Sequence, residues 1–224
     1  MGRVMNAQLL WFVSRSSGVV ALALLTASLT LGIATAGRAG GGTLPRAAVL
    51  RLHRNLALLT VVFVVAHIAT AIADGYVDLE ALDAVLPFGS GFDPLWIGLG
   101  ALATDLMIAM VATSLLRDRM SPTVWRAIHV TAYGMWPIAL LHGWGTSGGD
   151  TQQGWMLAVD VGCLLVVLFA LSWRLVRPPH PDSVARAAGA RVAARPAGGG
   201  AAAVSPGAWQ DGRPAVRSGN GDHR

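Results

Sequence analysis

Apolar residues crowd into five stretches of the chain, roughly 9–36, 49–73, 95–116, 124–144 and 155–176. Each meets the ~20 residues that a helix needs to cross the hydrocarbon core of a bilayer. The first is long enough to include an interfacial end. None shows the alternation of a half-buried strand, and the connections between them are short and Gly/Pro-rich or charged. The pattern predicts an all-α integral membrane protein, a bundle of about five transmembrane helices. Beyond residue 177 the apolar runs stop and Ala, Gly, Pro and Arg take over. Such a composition cannot bury a core, so the expected organisation is a membrane domain over 1–177 and a disordered tail over 178–224.

Composition strengthens this reading. Of the 224 residues, 54% are hydrophobic and only 13% charged, about half the charge of a soluble globular domain. Cys163 is the single cysteine and lies within an apolar run, which excludes a disulfide-stapled scaffold. No Gly-rich phosphate loop is present. The chain is basic, 17 Arg against 12 Asp+Glu with no Lys, but six of those Arg lie in the tail, so the body is nearly balanced. Basic residues interleaved with aromatics on a folded face are missing, and nucleic acid is not an expected partner.

Charge placement predicts the orientation. Arg38, Arg46, Arg51 and Arg54 surround the first connection, Arg117, Arg119 and Arg126 the third, and Arg174 and Arg177 the last helix end. The second connection carries Asp74, Asp78, Glu80, Asp83 and Asp93, and the fourth Asp150. The positive-inside rule then puts the N-terminus outside and the C-terminus in the cytoplasm of a multi-pass plasma-membrane protein. Arg3 and Arg15 followed by an apolar run ending at Ala34-Thr35-Ala36 mimic a cleavable signal. Cleavage there would invert the charge rule at every loop, so the first helix is expected to be retained.

Six histidines remain to be placed. His180 and His223 fall in the tail, and the other four fall in two predicted helices, His53 with His67 and His129 with His142. Ionisable groups within a bilayer are costly and default to a functional reading. Fourteen residues put His67 about 21 Å above His53 and within ~40° of the same face. The second and fourth helices run in the same direction, so His53 is level with His129 and His67 with His142. Two such pairs could each clamp the iron of a planar macrocycle, a common role for neutral imidazole. One bare metal ion could not be shared by levels ~20 Å apart, and no Cys supports either. The 13-residue step to His142 leaves it ~140° short in an ideal helix, and Pro137, between the two, is the expected place for a kink that re-aims it.

The residues Ala112-Thr-Ser-Leu-Leu-Arg117, Trp125-Arg-Ala-Ile-His129, Ala132-Tyr133 and Leu140-Leu-His142, with the 14-then-13 histidine spacing, resemble the ferric reductase-like transmembrane domain. Its relatives include the NADPH oxidases and the haem subunit serving periplasmic methionine sulfoxide reductase. The resemblance spans roughly 9–176 and implies two b-type haems, ligated as His53/His129 and His67/His142. Ferric reductases and NADPH oxidases continue into a cytoplasmic flavin and nicotinamide domain, which this chain does not show. A separate electron donor is therefore expected, a flavoprotein reductase or a quinol, with bound FMN or FAD a further candidate.

Other residues are read around that frame. Arg51, Arg54 and Arg126 flank the His53/His129 pair and are candidates for haem propionates, as is Arg15 at the depth of His67, with Asp160 or Asp105 as its alternative partners. Trp136 lies midway between His129 and His142, placed to bridge two haems or simply to pack. Trp125, Trp144 and Trp155 are expected as interfacial anchors. The acidic connection 74–93 carries Leu79, Leu82, Val85 and Leu86 at helical spacing, suited to docking an outer-face redox partner or to covering the outer haem. The expected function is a dihaem b-type cytochrome passing electrons across the bilayer. Its alternatives are a quinol-oxidising cytochrome b subunit and a non-redox transporter or structural protein whose histidines only join helices.

Overall fold

The structure, a computed structural model, describes residues 2–36, 45–74, 79–147 and 154–176. The tail over 178–224, with His180 and His223, lies outside the described residues, as do Arg38, Asp78, Asp150 and Arg177. Among these residues six α-helices follow in order: α1 Gly2–Ala36, α2 Arg46–Asp74, α3 Pro94–Leu115, α4 Pro122–Val130, α5 Ala132–Thr146 and α6 Gly154–Val176. Single 3-10 turns, Ala81–Ala84 and Arg117–Arg119, precede α3 and α4. No strand occurs among the described residues, and the chain is an all-α, multi-pass membrane protein.

Four of the five expected spans are single helices long and apolar enough to cross a membrane: α1, α2, α3 and α6. The fourth is divided at Thr131 into α4 and α5. The amides of Thr131 and Gly134 reach back only three residues, to Ile128 and Thr131, at 3.0 and 2.9 Å. That tighter turn lies just ahead of Pro137, which has no amide to offer and whose ring crowds the carbonyl four residues before it. The start of α4 is well marked, with Pro122 in its first turn and the hydroxyl of Ser121 accepting the Val124 amide at 3.3 Å.

Helix α1 packs along α2 and also touches α5 and α6, while α3 packs against α5 and α4. The core forms where α1, α5 and α6 meet, from Leu29, Ile33, Trp136, Cys163, Val167 and Ala170. Large apolar side chains also cover the outside, among them Leu58, Val62 and Val65 of α2 and Leu165, Phe169 and Leu175 of α6. A protein in water would not tolerate that much exposed apolar surface, whereas lipid requires it. Several hydroxyls in the spans are satisfied within their own helices. The hydroxyls of Thr26, Thr60 and Thr104 donate to carbonyls four residues earlier at 2.8, 2.8 and 2.9 Å.

The connection before α3 folds onto that helix. Phe88, at a positive φ of 66°, packs on Gly98, where a Cβ would collide with the Phe88 ring and amide. Asp93 then takes a left-handed conformation, φ 41°, and Pro94 starts α3.

Candidate functional site

The four membrane histidines come together as two pairs. The rings of His53 and His129 lie 6.2 Å apart between centroids with planes at 68°. Those of His67 and His142 also lie 6.2 Å apart, with planes at 79°. The pairs occur in the same order along both chain segments, so α2 and the α4–α5 segment run parallel. His142 reaches His67 despite its 13-residue step because α4 and α5 are not one ideal helix. The segment is interrupted at Thr131, where three-residue turns replace the regular helical step.

Three of the imidazoles are held in one way. His53 Nδ1 donates to the Ser28 carbonyl at 2.9 Å, His67 Nδ1 to that of Ser14 at 2.8 Å and His142 Nδ1 to that of Trp96 at 2.7 Å. A carbonyl can only accept, so Nδ1 carries the proton and the lone pair of a neutral ring sits on Nε2. Each acceptor lies four residues before a glycine, and that glycine lies against the ring: Gly32 at His53, Gly18 at His67 and Gly100 at His142. The reason is steric. A helix carbonyl already bonds the amide four residues on, so a second donor reaches it only across a position without a side chain. On α1 the Ser14/Gly18 and Ser28/Gly32 units are 14 residues apart, matching the step from His53 to His67 on the antiparallel α2. The first apolar stretch is therefore part of the site.

His129 is held differently. Its Nδ1 is buried with no hydrogen-bond partner among the described residues. Its ring instead stacks on Trp125, 4.7 Å between centroids and 20° between planes. The Arg117 guanidinium lies over the same indole, its carbon 4.7 Å from the ring centre. Trp125 was expected as an interfacial anchor, but its ring is half-buried and taken up by His129; Trp144 and Trp155 are half-exposed at helix ends.

The His67/His142 pair borders a cavity of about 510 Å³, within the size range of cofactor sites. Arg15 lines it, as do Asp160 and the acidic residues Asp74, Glu80, Asp83 and Asp93. Arg15 lies over Trp11 at 5.0 Å and donates to the Ser147 carbonyl at 3.3 Å. The connection before α3 thus forms one wall of this cavity, while its Leu82, Val85 and Leu86 stay exposed. Asp105 does not reach it. Arg51, Arg54 and Arg126 are exposed at the His53/His129 end, where Arg174 also donates to the Ile33 carbonyl of α1 at 3.4 Å. Trp136 is buried in the α1–α5–α6 core, its indole N–H donating to the Thr26 hydroxyl at 2.9 Å.

The family model for the ferric reductase-like transmembrane component matches residues 17–140, more than half of the chain. The chain belongs to that family. Neither a curated protein nor a solved structure matches it. In this ferric reductase-like domain the match covers His53, His67 and His129 and stops two residues short of His142. Membership carries a membrane-embedded redox role in electron transfer. The glycines and carbonyls that hold the rings, and the Arg117–Trp125 stack, were not singled out from the sequence. The repeated Ser-x-x-x-Gly at the histidine step was the signal available for the first two.

Proposed function

We infer that this chain is a two-haem b-type membrane cytochrome, in which the His53/His129 and His67/His142 pairs would each hold one haem iron. The observation that carries the reading is the equal 6.2 Å ring separation at both levels. Two imidazoles bonded through Nε2 to one metal at about 2.0 Å each have centroids about 6.3 Å apart, so both pairs fit. Among the described residues no group of three or more His, Cys, Asp or Glu could hold a bare ion. Two imidazoles alone leave a transition metal short of ligands, and a porphyrin supplies the other four.

When bound, the haems supply one-electron chemistry at two depths. The chain's own residues prepare each depth for it. The carbonyls of Ser14, Ser28 and Trp96 fix three rings with Nε2 bare, and such bonds at Nδ1 raise the basicity of Nε2. The Arg15 side chain offers a cation beside the His67/His142 cavity. Arg51, Arg54 and Arg126 offer cations at the other end, suited to propionates or to an acidic donor.

By the positive-inside rule the Arg-rich end with His53/His129 faces the cytoplasm. Electrons then enter at that level from a separate flavoprotein reductase or a quinol. They leave at the His67/His142 level, beneath the acidic connection, to an outer-face acceptor. The test is haem quantification by pyridine haemochrome on protein purified in mild detergent, with reduced-minus-oxidised spectra. About two b haems per chain, one of them lost in His67→Ala, is the expected result. Haem-free protein made with adequate haem supply overturns the reading and favours helix-joining histidines.

A further inference from the structure

The His129 ring stands apart from the other three. Among the described residues it has no carbonyl at Nδ1, where the other three have one. No described glycine lies against it, whereas Gly32, Gly18 and Gly100 lie against the others. Its ring instead stacks on that of Trp125, one turn earlier on α4, with the two planes nearly parallel. Positions four apart on a helix face one another, which makes this stack a local property of α4. The phase of α4 is set by the Ser121 cap and Pro122. The 3-10 turn Arg117–Arg119 just before it brings the Arg117 guanidinium over the same indole.

These contacts have different electronic consequences. A carbonyl at Nδ1 pushes electron density through the ring to a bound metal and favours its oxidised form. A stacked indole holds the ring plane without that push. A guanidinium on the far end of the stack adds positive charge, which favours the form carrying the extra electron. We propose that Trp125 is the positioning residue of His129 and that Arg117, held on it, raises the reduction potential at the His53/His129 level. This rests on the two-haem reading, and the stack does for His129 what Ser14, Ser28 and Trp96 do for its counterparts.

The test uses the full-length protein with its haems, and Trp125→Ala, Trp125→Phe, Arg117→Gln and Arg117→Lys. Low-spin EPR signals and the midpoint of each haem are the readouts, with His129→Ala identifying which signal belongs to this level. Trp125→Ala is expected to broaden or shift that signal and leave the His67/His142 signal in place, and Trp125→Phe to restore it. Arg117→Gln is expected to lower the midpoint of the same haem alone, and Arg117→Lys to return it towards the wild-type value. Arg117 is exposed, so this pair reads the effect of its charge even if Trp125→Ala fails to fold, and Trp125→Phe then tests the positioning. Wild-type protein without two haems defeats the cytochrome reading itself. Two haems in wild type, with signal and midpoint unmoved by Arg117→Gln and by any folded Trp125 variant, defeat only the role given to the stack.

Discussion

The imidazole of His142 lies so close over Gly100 that a Cβ on that glycine would fall 2.6 Å from Cε1 and 2.7 Å from Nδ1. The ring cannot simply step aside, because its Nδ1 is bonded to the Trp96 carbonyl one turn earlier on the same helix. At Gly18 the added Cβ would be 3.0 Å from His67 Nδ1, and at Gly32 it would be 3.5 Å from His53 Cε1, an ordinary contact. Alanine in a helix gains about 1 kcal/mol over glycine, while overpacking costs about 1–3 kcal/mol.

A graded series follows. Gly100→Ala is expected to displace His142 and lose the haem of its level. Gly18→Ala should weaken retention of the same haem, and Gly32→Ala should be neutral or slightly stabilising. Haem-to-protein ratio and thermal melting of the three variants check the order. Equal behaviour of all three would show that the glycines do not set the approach of the rings.

The steep angles between paired rings, 68° and 79°, bear on spectroscopy. Parallel imidazole planes donate to one iron d orbital and split it from its partner. Crossed planes donate to both alike and leave them nearly degenerate. Oxidised protein is therefore expected to give low-spin EPR signals of the highly anisotropic kind at both sites. A well-resolved rhombic spectrum would mean that at least one pair binds with its rings parallel.

The membrane class and the pairing order of the histidines were legible in the sequence, because bilayer spans and depth along a helix depend only on residue spacing. What holds each ring was not. Gly18, Gly32 and Gly100 matter through what lies across from them, and helix pairing must be known before the match between Ser14/Gly18, Ser28/Gly32 and the His53–His67 step has meaning. Trp125 looked like an interfacial anchor because a Trp near a helix end usually is one. Only the close register with His129 and Arg117 reveals its use. The break at Thr131 is a local adjustment of two turns, and Pro137 marked its neighbourhood without specifying where the rotation is taken up.

Trp136 offers a clean separation of packing from redox roles. Its indole N–H donates to Thr26, whose hydroxyl in turn donates to the Leu22 carbonyl at 2.8 Å. Trp136→Phe removes one buried hydrogen bond, worth about 1 kcal/mol, and Trp136→Ala leaves a cavity costing about 3–5 kcal/mol. Both are expected to lower thermal stability in that order, with Trp136→Phe keeping two haems and wild-type rates of reduction of the second haem. A slowed transfer in stable Trp136→Phe would assign the indole a bridging role.

Arg15 should act on the other level. It lies on α1 next to Ser14, whose carbonyl holds His67, and it lines the same cavity as His67, His142 and Asp160. Reduction of a haem adds one negative charge, so a nearby cation favours the reduced state and its removal lowers the potential. In a medium of intermediate dielectric the effect of one charge is on the order of tens of millivolts. Arg15→Gln is expected to lower the midpoint of the His67/His142 haem by that order and to leave the His53/His129 haem near its own value. Asp160→Asn, which removes an opposing negative charge from the cavity, should move the same midpoint upwards. Redox titration of the three proteins, with the haems distinguished by His67→Ala, checks both signs, and an unmoved midpoint in both variants would place these charges too far from the iron to matter.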